Sequence, residues 1–368
     1  MYNPKANKFL RVGQAWSHAR LRARQGHLPA WRQLAEMSYL KLRNGVGPAH
    51  YNIAGLYRRK FTWQQKLEYL SERDYQTAMN KINPNRYYVI ANNKLATYAL
   101  LRSYDIPTPI TYGGINVEHG WTFDGQPLKT ADDLGNLLRR LQADEVCFKL
   151  ISGLRGAGFI KAGIKLGTEQ IHIRVLPDGP QISIDGFFEQ HLLTSLHDGY
   201  LIQEVITQHP EVARFNPSSL NTIRSWVVQR EPGEWYMFFA ILRMGIGSST
   251  VDNLSAGGIS SWIDVSSGRL DAATRVDYDR VDRSVHATHP TSGVLLENQV
   301  VPMWEETVEL AKRAARVAPY FRAVAVDVAF GVDGPMIMEL TPVPDDPQAD
   351  IERGLRSYLR ELSATYPA

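Results

Sequence analysis

The sequence predicts an α+β protein in which a basic, mostly helical N-terminal region precedes a long strand-rich part. Three observations point there. Trp31, Leu34, Met37 and Leu40 recur at helical spacing before a break at Gly45-Val46-Gly47-Pro48, and residues 1–90 read as mostly helical. From Val146 onward, apolar runs of strand length are separated by turn-forming segments. Finally, Ala323 to Thr341 alternates with period two: Val324, Val326, Val328 and Phe330 fall on one face, and Ala323, Ala325, Asp327 and Ala329 on the other.

With 368 residues the chain is long enough for roughly two or three domains of ~150 residues each. The single cysteine, Cys147, cannot form an internal disulfide; its apolar strand context assigns it to core packing. No run approaches the ~18 apolar residues of a membrane span, and Met1-Tyr2-Asn3-Pro4-Lys5 lacks an apolar signal core, so a cytoplasmic location is the expectation. The net charge of +3 hides an asymmetry. Residues 1–65 hold twelve lysines and arginines against one acid, Glu36, a net +11 that leaves −8 for the rest. Such a basic end suits a polyanion, an anionic membrane surface or an acidic substrate, or else it packs on the acidic remainder.

In chain order, a short strand is expected at Tyr87 to Ala91, followed by Asn92-Asn93 as the cap of a helix carrying Lys94, Leu95, Tyr98, Leu101 and Arg102. Ile106-Pro107-Thr108-Pro109 ends that helix. Val146 to Leu150 is a strand, the segment from Ser152 to Gly158 a flexible loop, and Phe159-Ile160 resumes strand character. Leu176-Pro177-Asp178-Gly179 reads as a hairpin turn between Ile171–Val175 and Gln181–Ile184. Tyr200 to Ile206, Asn221 to Val228 and Tyr236 to Met244 are further strands. Asp252 to Gly258 is a polar, Gly-rich loop facing substrate. Glu305–Val317 and Ile351–Leu362 are amphipathic helices.

The chemistry concentrates in a few places. A three-residue loop, Val332-Asp333-Gly334, would pair Phe330 with Met336 and Val328 with Met338, and would set Asp327 opposite Glu339. Facing carboxylates need a cation between them, which suggests Mg²⁺; a register slip would leave both acids edging a solvated hairpin. The loop after Lys149 is flanked by strands and lacks a Gly-Lys-Ser/Thr ending, so it is neither a P-loop nor a dinucleotide fingerprint. It can still cover phosphates with backbone N–H groups, or be a plain turn. Arg224 and Arg243, at strand positions, suit planar anions or cross-sheet ion pairs. No Gly-x-Ser-x-Gly, His-Glu-x-x-His or paired-cysteine motif is present. His286 and His289 read as loop residues rather than metal ligands.

In order and spacing, these pieces resemble the ATP-grasp superfamily from about residue 91 to 345. Asn93-Lys94 looks like the first nucleotide lysine of D-alanine:D-alanine ligases. Phe148-Lys149 with Ser152, Gly153, Gly156 and Gly158 is similar to the second lysine and the phosphate-covering loop. Leu201-Ile202-Gln203-Glu204-Val205-Ile206 resembles the hinge under adenine, with Glu204 meeting the amino group and the backbone of Val205 and Ile206 the ring edge. Glu211 matches the ribose-binding acid, with His209 as a rival. Arg224, Arg243 and the Asp252-Asn253 to Gly257-Gly258 segment resemble glutamate ligases of the ribosomal-protein-modifying and glutathione-synthesising kind. Asp327 and Glu339 then fall on that family's metal-binding acids. The combination of Ser219-Leu220-Asn221-Thr222-Ile223-Arg224, Val251-Asp252-Asn253 and Gly257-Gly258, after a basic helical region, is most similar to the sugar-transfer associated ATP-grasp proteins.

The resemblance implies an ATP-grasp fold divided into a basic helical region at 1–90, a linker helix and lid at 91–200, and a catalytic subdomain with a C-terminal helix at 201–368. It implies ATP and Mg²⁺ as cofactors and a carboxylate–amine ligase working through an acyl phosphate, with Arg224, Arg243 and Lys149 as catalytic groups. A small-molecule or peptide carboxylate and an amine are the implied substrates, and a homodimer remains open. Two other readings compete: a kinase acting on a hydroxyl, with Asp252 as base, and a non-catalytic nucleotide-binding scaffold whose N-terminal region holds a polyanion. One departure matters. Where the superfamily usually has Glu-x-Asn, this chain has Glu339-Leu340-Thr341, and a threonine hydroxyl offers one oxygen without an amide dipole.

Overall fold

The computed structural model describes residues 12–153, 157–168, 170–277, 280–318 and 321–365. Seven helices come first: α1 (Val12–Arg24), α2 (Ala30–Asn44), α3 (Pro48–Ile53), α4 (Trp63–Leu67), α5 (Glu72–Ile82), α6 (Tyr88–Asn92) and α7 (Lys94–Ser103). Then follow β1 (Thr111–Ile115), β2 (Trp121–Thr122), α8 (Ala131–Leu141), β3 (Glu145–Leu150), β4 (Ile160–Leu166), β5 (Ile171–Val175), β6 (Gln181–Ser183), α9 (Ile184–Phe187), β7 (Tyr200–Glu204) and α10 (Pro210–Ala213). The chain continues with β8 (Thr222–Glu231), β9 (Glu234–Met244), β10 (Ile259–Ile263), β11 (Leu270–Asp277), β12 (Asp282–His286), α11 (Trp304–Arg316), β13 (Ala323–Gly331), β14 (Gly334–Thr341) and α12 (Arg356–Thr365).

One sheet has the order β2-β1-β7-β3-β4-β5-β6 and the other β12-β11-β10-β9-β8-β13-β14. The chain divides into two compact units, one of residues 1–85, 211–326 and 341–368, the other of residues 86–210 and 327–340.

In the second unit every neighbouring pair of the first sheet is antiparallel. Strand alternation sends Val146 and Phe148 of β3, with Tyr200 and Ile202 of β7, into a core closed by Leu134, Leu137 and Leu138 of α8 and Phe187 of α9. Cys147 and Lys149 therefore point to the opposite face, where the register sets them across from Gln203 and Leu201. Helix α8 starts at a capping box in which Thr130 and Asp133 satisfy each other's backbone.

In the first unit α5 and α12 lie on the other sheet: Tyr75, Met79 and Ile82, with Leu355, Leu359 and Leu362, meet Trp226, Ile241, Ala323 and Ala325. The alanine row of β13 is thus partly explained by close helix packing. Asn83 ties α5 to the sheet by donating to the carbonyls of Ala323 and Pro342.

Two expectations need correction. Tyr87 to Ala91 is not a strand: a 3₁₀ turn, Asn85–Tyr87, runs into α6, and the Asn93 N–H donates to Val89 O at 3.1 Å. A five-residue apolar run carries no usable period, and here local bonds satisfy the backbone without a strand partner. The β13–β14 connection is shorter than expected, because the strands end at Gly331 and resume at Gly334, leaving Val332-Asp333 between them. Gly334 does hold a positive φ of 134°.

Several N-terminal cations turn inward. Arg22 lies 4.1 Å over the Tyr57 ring and pairs with Asp282 at 3.1 Å, while Arg58, Lys60 and Arg283 converge on Glu352. Beside them His50 of α3 meets the Tyr69 ring edge-on and sits 4.0 Å from Asp346. Burial lowers the His50 pKa to about 4, with Glu72 opposing, so the folded chain refuses a proton that the unfolded chain takes below pH ~6.5. Stability is then full above that pH and is lost as pH falls toward 4. Asp346 and Asp350, raised by burial to about 6, act in the opposite sense, holding protons more tightly when folded. His50→Gln is expected to shrink the stability lost between pH 7 and 5 by ~1–2 kcal/mol, read from urea unfolding at both pH values. An unchanged pH difference would mean that His50 is hydrated in solution.

Candidate functional site

The polar face of the first sheet gathers the groups expected to meet a nucleotide. Lys94 is the first residue of α7, placed there because the Asn93 side chain caps the helix by accepting from Ala96 N. Its N–H donates to Ile151 O at 2.9 Å, its ammonium donates to Gly153 O, and Glu339 Oε1 lies 3.6 Å from Nζ. One turn on, Tyr98 is buried and its hydroxyl donates to Met338 O at 2.8 Å. Burial presses the Lys149 pKa down, but Tyr98, Cys147 and Glu339 together outweigh it and raise the pKa. Lys94 and Glu339 are thus adjacent, and Lys149 lies within electrostatic reach of Tyr98 and Glu339. Tyr98 was visible in sequence only as a helix residue; its i+4 spacing from Lys94 is the signal that could have found it.

The glycine loop leaves β3 against this cluster. At Gly153 a Cβ would come within 2.7 Å of Leu150 Cβ, and Gly158 takes a φ of +68°. Both glycines let the loop fold tightly onto Leu150. Ser152 lies in the turn before Gly153, and Gly156 lies outside the described residues. At the end of β7, Glu204 is clamped to the strand entry: its N–H donates to Ile110 O at 3.0 Å and its Oε1 accepts from Ile110 N at 2.7 Å. Val205 and Ile206 leave the ladder, half-buried.

Asp327 is buried, 4% exposed, and continues the alanine row of β13; Glu339 sits on β14, its neighbour in the sheet order. Their hard carboxylate oxygens suit a small dication. Among the described residues no three His, Cys, Asp or Glu side chains group as a metal site. A Mg²⁺ held by Asp327 and Glu339 would therefore complete its shell from phosphate oxygens and water, the usual habit of that ion. Thr341 ends β14, half-buried.

The first unit holds a second cluster. Thr222 faces Arg243 across β8 and β9, and strand alternation puts Arg224 on the same face as Thr222. Asp252 Oδ2 accepts from Thr222 N at 3.0 Å and from the Thr222 hydroxyl, and Arg243 Nη2 donates to that hydroxyl at 2.7 Å. Arg243 Nε lies 3.6 Å from the same carboxylate oxygen. Thr222, expected only as a strand opener, is the hub of this group. Asn253 O accepts from Ala256 N and Gly258 N, closing a 3₁₀ turn. Gly257 takes a φ of +91°, and a Cβ on Gly258 would come within 2.8 Å of Asp252 O and Met244 O. Glu211 is exposed at the start of α10, 3.5 Å from Arg214. His286 bonds Ser284, while buried His289 bonds Gly245 O at 2.9 Å and accepts from Thr291 N, so the two do not act together.

This architecture of helices and two sheets, with a lysine pair and a glycine loop on one of them, is the ATP-grasp fold. The chain belongs to the sugar-transfer associated ATP-grasp family, whose sequence model matches residues 73–363. No curated protein matches it in sequence. Among solved structures, the ATP-grasp ligase PsnB complexed with a minimal precursor is similar at TM-score 0.39 and 14% identity, covering 77% of this chain and 63% of its own. The D-cycloserine synthetase DcsG is similar at TM-score 0.44 and 13% identity, covering 80% and 79%. D-alanine–D-alanine ligase from Bacillus anthracis is similar at TM-score 0.39 and 14% identity, covering 75% and 66%. The chain thus spans less than two thirds of the length of PsnB.

Proposed function

We propose that the chain is an ATP-dependent ligase joining a carboxylate to an amine. The observation that carries this reading is the pairing of Lys94 with Glu339 and with Gly153 O of the glycine loop, with Lys149 and Tyr98 in the same electrostatic neighbourhood. Lys94 and Lys149 would hold the α and β phosphates. Backbone N–H groups of the glycine loop would cover the phosphates and exclude water. Beyond β7, the backbone of Val205 and Ile206 is free of the ladder and suited to the adenine edge, with Glu204 at the amino group and Glu211 at the ribose. Asp327 and Glu339 would hold Mg²⁺, which neutralises charge on the β and γ phosphates when bound. Thr341, in place of the usual asparagine, would contribute its hydroxyl directly or through a water.

An oxygen of the substrate carboxylate would attack the γ-phosphorus as the bond to ADP breaks, giving an acyl phosphate. Arg224 and Arg243 would stabilise its charge, with Asp252 and Thr222 orienting Arg243. Asn253 and the turn through Gly257 and Gly258 would border the substrate. The amine nitrogen would then attack the acyl carbon, phosphate would leave, and the nitrogen would lose its proton. No protein nucleophile is needed. With hydroxylamine as the amine, a ligase converts its acid substrate to a hydroxamate and releases ADP. A stable phosphoester as the sole labelled product from γ-labelled ATP would sink this reading and favour transfer to a hydroxyl.

A further inference from the structure

Helices α1 and α2 present a surface that the ligase chemistry does not use. The inward side of α2 is Gln33, Glu36, Met37, Leu40 and Asn44. On the opposite side Trp31, Ala35, Ser38 and Leu42 fall within a strip about 60° wide, with Tyr39 next to it. All five are exposed, Leu42 by 90% and Trp31 by 68%. Lys41 flanks the strip on one side, and Arg32 and Arg43 on the other. Tyr39 meets the ring of Trp63 edge-on at 5.3 Å, extending the aromatic surface beyond the helix. On helix α1, Trp16 and Leu21 are exposed too, about 140° apart on either flank of exposed Arg20 and Arg24.

Within α1 and α2 themselves the exposed charge has one sign, with Asp74 beside Gly45 and Asp282 beside Arg22 at the margins. The sole acid among residues 12–65 is Glu36, and it is buried beneath Lys66 and Tyr51. Arg20, Arg24, Lys41 and Arg43 make no ion pair among the described residues. A water-facing helix side would ordinarily be polar; a second apolar stripe there, lined by cations, points to an occupant. A second copy of the chain would set like charges face to face. A nucleic acid would satisfy the cations and stack on aromatic rings but would leave Leu21 and Leu42 in water. An anionic bilayer satisfies all three groups. Leucines enter the acyl boundary, tryptophan and tyrosine sit at headgroup depth, and arginine and lysine reach the anionic headgroups along their apolar stems.

We infer that the α1–α2 surface docks this protein peripherally on an anionic lipid bilayer. The test is flotation of the full chain with phosphatidylcholine vesicles made with and without phosphatidylserine. Binding is expected only with phosphatidylserine and is expected to weaken as salt rises. Trp31→Ser/Leu42→Ser should reduce it on the order of tenfold while thermal unfolding stays unchanged, because both side chains are exposed. Lys41→Gln/Arg43→Gln should weaken it and flatten the salt dependence. Four results would overturn the inference: no flotation with anionic vesicles; flotation undiminished by Trp31→Ser/Leu42→Ser; retention on single-stranded RNA without vesicle binding; or a dimer dispersed by those substitutions in a protein that ignores vesicles.

Discussion

Lys149→Met is expected to lower ATP turnover by ~10²–10³-fold, the scale on which removal of one preorganised charge partner acts on a developing phosphoryl charge. The ammonium lies in the electrostatic neighbourhood of Tyr98, Cys147 and Glu339, which raise its pKa against the effect of burial. Methionine keeps the length of the stem and its contacts on the sheet but cannot neutralise a phosphate. Tyr98 keeps its bond to Met338 O, and the core side of β3 is untouched, so the fold should survive. Steady-state ADP release, with a melting curve as control, checks this. Turnover within about threefold of the parent would remove Lys149 from the chemistry.

The largest effect on stability is expected at a distance, in the N-terminal helices. Lys66 is 1% exposed, and its ammonium donates to Glu36 Oε2 at 2.6 Å; the same oxygen accepts from the Tyr51 hydroxyl at 2.8 Å, while Arg32 reaches Oε1 at 3.1 Å. Burial lowers the Lys66 pKa, and the hydrogen bond and charge of Glu36 oppose that only in part. Lys66→Met leaves the Glu36 carboxylate buried with a hydroxyl and a half-exposed guanidinium. That should cost ~3 kcal/mol, the lower end of the range for a broken buried pair. Adding Glu36→Leu should recover part of the loss, because the stranded charge goes with it. Urea unfolding of the two variants measures both effects; a loss below about 1 kcal/mol would mean that the pair is hydrated in solution.

Much of the fold was legible because the strongest signals are periodic. The helical spacing of α2, the alternation of β13 and the hairpin turn after β5 all appear as expected. What escaped has physical reasons. Strands β10 to β12 carry Ser260, Ser261, Thr274 and Arg283, so their polar pattern gave no strand signal, and His286, read as a loop residue, ends β12. At α6 an apolar run of β-branched and aromatic residues is too short for its period to be read. Asn93 was legible as a cap because that depends on its immediate neighbours, whereas Cys147 is buried on the sheet face opposite the apolar core, which the sequence did not reveal.

The candidate site divides the same way. Lys94 and Lys149 could be picked out in sequence, whereas Tyr98 and Thr222, the latter bonded to Arg243, could not, since their contacts are distant in sequence: Tyr98 with Met338, Thr222 with Asp252. The glycines were noticed for chemistry, but Gly153, Gly158 and Gly258 each have a steric reason to be there as well.

Calorimetric titration of Mg-ATP into the parent protein and Lys149→Met tests most directly whether the Lys94, Tyr98, Lys149 and Glu339 cluster is the nucleotide site. Saturable binding by the parent, at least about tenfold weaker in the variant, is the result expected from losing one desolvated charge pair. Equal affinity in the two proteins would place any nucleotide elsewhere.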